Sequence, residues 1–260
     1  MLLGFSLMCA FRTYLAPSHI GMAGVPPTAV IGWCSLLRKG EKMKKQILLI
    51  LGLVLLLAAK VYAYDDGDFQ VWNTDVQDFK INKDLKASFE EEFRWADNSS
   101  EFYYHHYDAG LIYTLSKHLN FGAGYRHIYE LKTRKFKAEK SPYLTLSLLR
   151  DLSGFKFEDR SRLEYRNFGY QADSGRYRNK LTVKLPWKFT KMEIQPYFSD
   201  EVFFGIGGAN QFNQNRFSSG IGMNLAKNVK LEVYYMLQNA KSKGKWPGTN
   251  VLGTKVKMAF

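Results

Sequence analysis

Charged side chains recur in this chain at intervals of two. Glu90, Glu92 and Arg94 occupy alternate residues, Arg160, Arg162, Glu164 and Arg166 repeat the spacing, and Arg178, Lys180 and Lys184 extend it. On a β-strand this spacing brings every member of a row to one face. A row of Arg and Lys attracts anions, and a row of mixed sign forms ion pairs. His105-His106-Tyr107-Asp108 suggests a different chemistry, because a histidine beside a carboxylate can act as a general base. No motif marks a serine nucleophile, and the histidine pair lacks the further spaced ligands of a zinc site. Gly205-Ile206-Gly207-Gly208 lacks the Lys-Ser/Thr that follows a phosphate-cradling loop. No cofactor is expected.

The elements that carry these rows read as strands. In Leu85 to Trp95, Leu85, Ala87, Phe89, Glu91, Phe93 and Trp95 face away from Lys86, Ser88, Glu90, Glu92 and Arg94. Phe155 to Asn167 and Tyr177 to Trp187 divide the same way, with Leu163 and Tyr165, then Leu181 and Val183, on the apolar side. A soluble sandwich also alternates, so the links carry more weight. Short links at Ile81–Leu85, Leu115–Leu119, Leu152–Phe155, Lys188–Met192 and Leu225–Val229 alternate with longer polar ones at Ala96–Glu101, Leu131–Ser141, Gly169–Arg176, Phe204–Gln211 and Asn239–Thr249. That order predicts an all-β fold, a single antiparallel up-and-down transmembrane β-barrel of ten to twelve strands, with short periplasmic turns and long outer loops. About eleven segments are legible from Asp68 onward. Because single-chain bacterial barrels have even strand numbers, either Leu85 to Phe260 closes ten strands with the first segment in or beside the barrel, or residues near Tyr64 to Gln70 add a short strand.

With the apolar faces toward lipid, the polar rows enter the lumen. The expected network holds Glu90, Glu92, Arg94, His106, Asp108, Arg126, Arg160, Arg162, Glu164, Arg166, Arg178, Lys180, Lys184, Tyr197, Glu201, Arg216 and Tyr234, with Glu193, Lys230 and Glu232 on the same faces. Three readings follow. Paired charges can fill and stiffen a narrow barrel without transport. The excess of Arg and Lys on two adjacent strands can line a narrow channel for small anionic solutes. A lipid hydrolase using His106 and Asp108 is the third. Gly122 and Gly124 point inward and make room beside Arg126, while Trp95, Tyr113, Tyr129, Tyr165, Trp187 and Phe203 suit interfacial girdles. Lys132, Arg134, Lys135, Lys137 and Lys140 form an outer loop able to meet lipopolysaccharide phosphates.

The chain has 260 residues, a formal charge of +13 and two cysteines, but its beginning differs from the rest. Lys44 and Lys45 precede thirteen uncharged residues, Ile47 to Ala59, and then Val61-Tyr62-Ala63, as in a secretory signal peptide over 43–63 cleaved near Ala63. The run is shorter than the roughly 20 residues of a membrane-spanning helix. Lys39-Gly40-Glu41 corresponds to a purine run like a ribosome-binding site before Met43, so residues 1–42 read as a mis-called extension. The mature part, 64–260, has 197 residues with 30 basic and 23 acidic, a balance of +7. Cys9 and Cys34 are removed with the leader, which leaves no disulfide framework or thiolate site, and Trp33 before Cys34 opposes a lipoprotein signal. Export and an internal placement of charge oppose nucleic-acid binding.

Leu252, Thr254, Val256, Met258 and Phe260 share one face and end in a C-terminal Phe, similar to the terminal signal read by the outer-membrane assembly machinery. Trp72, the Glu90 to Arg94 run, His105 to Asp108, Gly122-Ala123-Gly124-Tyr125-Arg126, Arg162 to Arg166, Pro196-Tyr197, Asp200 to Phe204, Asn215-Arg216 and Tyr234 to Gln238 together resemble an uncharacterised family of small Gram-negative outer-membrane β-barrels, a domain of unknown function. The resemblance spans about Phe69 to Phe260 and implies a barrel in the outer membrane, with no established activity. A looser likeness, in size and basic lumen, is to small porins for acidic oligosaccharides.

Overall fold

The computed structural model describes residues 67–207, 211–242 and 244–260. The signal peptide expected at 43–63, the extension expected at 1–42 and Gly208 lie outside the described residues. Among the described residues the chain forms eleven strands, β1 (Asp68–Lys80), β2 (Leu85–Ala96), β3 (Glu101–Ser116), β4 (Leu119–Lys132), β5 (Lys135–Leu152), β6 (Phe155–Phe168), β7 (Ser174–Lys184), β8 (Gln195–Ile206), β9 (Gln211–Ala226), β10 (Val229–Ala240) and β11 (Gly248–Ala259). Each strand pairs with its neighbours in sequence, and β1 closes on β11. Closure leaves no sheet edge with unpaired backbone groups.

The strand number falls inside the expected range, but one pairing differs from an all-antiparallel barrel. The register of β1 against β11 is parallel, from Asp68↔Thr249 to Asp78↔Ala259. The cause is geometric: in an up-and-down meander with an odd number of strands, the first and last point the same way. The first segment is thus a full member of the wall. Its end is tied to the chain terminus, with the Phe260 amide donating to the Asp78 carbonyl at 2.8 Å and the Lys80 amide to the Phe260 carbonyl at 3.0 Å.

The links depart from strict short and long alternation. At one end lie 81–84, 117–118, 153–154, 185–194 and 227–228, and at the other 97–100, 133–134, 169–173, 207–210 and 241–247. The segment 131–141 is a hairpin, turning at Thr133 (φ 49°) and Arg134 (φ 66°), and Lys132 pairs with Lys135. Its dense charge resembled a solvated loop, yet Glu139 and Ser141 alternate inward and are buried. Conversely, Lys188–Met192 belongs to a longer link, because Pro186 cannot donate to a sheet ladder, and the chain resumes only through the Phe189↔Ile194 bridge.

Alternation sets the polarity of the wall. Leu111, Leu144, Leu163, Leu181, Phe217 and Leu252 are exposed on its outside. Glu92, Arg94, His106, Asp108, Arg126 and Glu164 are buried inside. The apolar core is a small cluster of Trp72, Met236 and Val251 packed with Tyr234. Phe203, expected in an outer girdle, is 2% exposed and lies inside, because it shares the face of Tyr197, Ser199 and Glu201 on β8. Glu193, expected inside, instead pairs with Lys188 at 2.9 Å on the exposed link.

Candidate functional site: two walls of unequal charge

On the wall built by β2, β3, β4 and β11, acids and bases balance. The ladder sets Glu90 opposite Asp108 and Glu92 opposite His106, and Asp108 opposite Arg126. Two carboxylates facing each other repel, and Arg126 lies between them, with Nε 2.8 Å from Asp108 and Nη2 3.2 Å from Glu90. Lys255 reaches the other Glu90 oxygen at 3.0 Å. Arg94 donates through Nε to Glu92 at 2.6 Å. Its guanidinium carbon lies 3.5 Å from the Trp72 ring centre and 3.9 Å from that of Tyr104, so both of its flat faces are covered by aromatic rings. Thr74 donates to the remaining Glu92 oxygen at 3.0 Å.

The expected pairing of His106 with Asp108 does not form. His106 is 1% exposed; its Nε2 lies 3.3 Å from Glu90 and its Nδ1 3.1 Å from the Tyr104 hydroxyl. Asp108 instead accepts from Arg126 and, at 2.5 Å, from Tyr143. Residues two apart share a face, but at this height the oxygens of Asp108 are claimed by longer side chains from β4 and β5. Among the described residues no group of three His, Cys, Asp or Glu is arranged to hold a metal.

The opposite wall, β6 to β9, has too few acids. Glu164 is approached by Arg176 at 2.5 Å, Arg178 at 3.0 Å and Arg162 at 3.8 Å. Glu201 is approached by Arg178 at 2.8 Å, Arg160 at 3.4 Å and Arg216 at 3.8 Å. Two carboxylates therefore serve five arginines. Arg178 and Arg216 also lie over the Phe203 ring, 4.7 and 4.8 Å from its centre, and Arg216 donates to Gln238 at 2.8 Å. Arg162 joins the two walls, with Nη1 3.7 Å from Asp108. Its chord from β6 to β3, and that of Arg216 to Trp72 at 4.9 Å from β9 to β1, cross the bore.

The remaining expected residues are spread along the same inner faces. Arg166 grips Glu139 through two hydrogen bonds of 2.7 and 2.8 Å, apart from the central network. Lys184 lies 3.7 Å from Glu232. Tyr197 and Tyr234 lean over backbone without side chains: a Cβ at Gly220 would meet both, and one at Gly253 would overlap the Tyr234 ring. Gly122 and Gly124 make room for Thr145 and Tyr143 rather than for Arg126. Arg176, Lys255, Lys257, Asp78 and Tyr143 were missed, although the same period of two reaches most of them. Arg176 precedes Arg178 by two, and Lys255 and Lys257 occupy the face opposite Thr254 and Val256. Glu139, the buried partner of Arg166, was obscured by reading 131–141 as a loop.

Beneath the crossing chords is a cavity of about 550 Å³, reaching the end that carries Lys227, Asn228 and Lys257. Thirteen Lys and Arg line it against six Asp and Glu, which makes it a cationic chamber. Asp78, held by Lys86 at 2.7 Å and Lys257 at 2.9 Å, ties β1, β2 and β11 at that end.

Neither the comparison with curated proteins nor that with solved structures finds a match. The profile of one family matches residues 69–249, from the first strand of the wall into the last. The chain belongs to the family described as protein of unknown function (DUF2490).

Proposed function

We propose that this chain is a β-barrel of the Gram-negative outer membrane, closed at mid-height by its charge network and serving as a binding barrel rather than a steadily open pore. The observation that carries the reading is the inverted polarity of the wall: leucines and aromatics exposed outside, and arginine, glutamate and histidine buried within. Water-soluble barrels place their apolar faces inward, whereas a membrane barrel presents them to lipid. The chords from Arg162 and Arg216 oppose steady flow, and the buried His106 offers a hydrolase no accessible base.

In this reading the end of the 117–118, 153–154 and 227–228 turns, the short-link end, faces the periplasm after export and signal cleavage near Ala63, and Phe260 presents the assembly signal. The β4–β5 hairpin, with Arg134 and Lys135 at its tip, reaches lipopolysaccharide phosphates on the outer side. The cationic chamber favours a second reading, a narrow anion channel opened by rearrangement of the network. Refolded protein in a planar bilayer under a salt gradient separates the two. The closed barrel gives insertion without steady current, and a steady anion-selective current establishes the channel instead.

A further inference from the structure

Among the described residues Arg162 is the charged side chain with buried nitrogens that lack a hydrogen-bond partner. Its side chain is 8% exposed, Nε and Nη1 are buried without a hydrogen-bond partner, and its nearest carboxylate oxygens are 3.7 and 3.8 Å away. The Tyr143 ring, 3.9 Å from the guanidinium carbon, covers one flat face. A buried guanidinium without hydrogen bonds is costly, because desolvation is not repaid by pairing.

Its surroundings add positive charge. Across the β6–β7 ladder Arg162 faces Arg178, and Arg160 faces Lys180. Like charges directly opposite destabilise a sheet, yet two such pairs stand on adjacent rungs of one inner face. Glu201, the carboxylate across from Lys180 on β8, is already occupied by Arg160, Arg178 and Arg216. All four cations line the cavity. Such a cluster is complementary to one compact, multiply charged oxyanion, whose several oxygens can accept from guanidinium edges and an ammonium together.

We infer that Arg160, Arg162 and Lys180 form a binding site for a phosphate-type oxyanion, free or as the phosphoryl group of a small solute entering from the short-link end. The inference deepens the closed-barrel reading and rests on it for the enclosed chamber. Arg178 stays engaged with Glu164 and Glu201 and contributes field, while Arg160, Lys180 and the part of Arg162 that lines the cavity face the ligand.

The test is calorimetric titration of the detergent-folded barrel with inorganic phosphate at constant ionic strength, with chloride as the competing monovalent anion. Saturable binding is expected, and chloride should not displace phosphate at equal concentration. Lys180→Gln removes a charge whose opposite carboxylate is already occupied, so it should fold and weaken binding about tenfold, as loss of one charge-assisted hydrogen bond does. Arg162→Gln should weaken it at least as much. Lys132→Gln, outside the cavity lining and paired with Glu130 at 2.7 Å on the exposed hairpin, should change it by no more than about twofold because exposed charges are screened. No saturation, equal competition by chloride, or equal losses in Lys180→Gln and Lys132→Gln would overturn the site. Because bilayer insertion and conductance are measured separately, loss of phosphate binding would leave the closed-barrel reading standing.

Discussion

Arg162 and Arg178 face each other directly across the β6–β7 ladder and share Glu164, whose Oε1 lies 3.8 Å from the first and 3.0 Å from the second. A like-charge pair on one rung survives because a carboxylate on the same strand as Arg162 lies between them and Tyr143 covers one guanidinium.

That arrangement makes Glu164 a stability determinant. Glu164→Gln leaves three arginines without their shared counter-charge and should destabilise the barrel by about 3–5 kcal/mol, the usual cost of removing one member of a buried ion pair. Guanidinium unfolding of the detergent-folded protein measures it. Adding Arg178→Met should cost less than the sum of the single effects, since the pair is coupled; strict additivity would mean that Glu164 does not hold Arg178.

Gly253 leaves space for an aromatic ring. A methyl group there would overlap the ring of Tyr234, so Gly253→Ala should cost about 1–3 kcal/mol through overpacking. In a Tyr234→Ala background the same substitution should cost almost nothing. An equal cost in both backgrounds would locate the requirement in the backbone.

The polarity of the wall gives a test of membrane placement. Leu144 projects outward at the height of Leu163, and Leu144→Arg should reduce insertion into lipid vesicles, by about 2–4 kcal/mol if this is the bilayer midplane. Leu144→Ile is the matched control. Flotation of the Arg variant with wild-type yield would show that this face does not meet lipid.

At the seam, Phe260 contributes two backbone hydrogen bonds and a ring stacked on Phe79, with centres 5.3 Å apart. Deleting Phe260 should lower refolding yield in detergent, each hydrogen bond being worth about 1 kcal/mol. Phe79→Ala should lose the stacking alone. If the terminal residue is also an assembly signal, the deletion reduces surface assembly in cells far more than Phe79→Ala does. Equal losses in cells would leave Phe260 a purely structural role.

Outside the wall, the 169–173 link is held by Asp173, whose carboxylate lies below its ordinary value of 3.8 because it accepts from the Phe168 amide, and also from Asn167 and Tyr165. A lowered value means that the charged form stabilises the link. The stabilisation is complete above 3.8 and disappears as pH falls through the depressed value. The Phe168 amide proton shift should therefore titrate with a midpoint below 3.8, and a midpoint at or above 3.8 would count against this anchor.

The periodicity of two was enough to choose the faces. Side chains alternate on any strand whatever its partners, so Glu92, His106, Arg126 and Arg216 could be assigned inward before any strand was paired. The same rule failed wherever charge density was taken for a loop, as at 131–141, and where an aromatic was judged by type rather than by phase, as with Phe203. What the sequence could not decide was who pairs with whom. Local pattern contains no information on register, and the parallel seam of β1 with β11, the chord from Arg162 to Asp108 and the separation of His106 from Asp108 all depend on residues distant in the chain. The inner faces were therefore determined by strand geometry alone. The imbalance between a neutral wall and one where two carboxylates serve five arginines arises only when closure of the barrel brings those faces together.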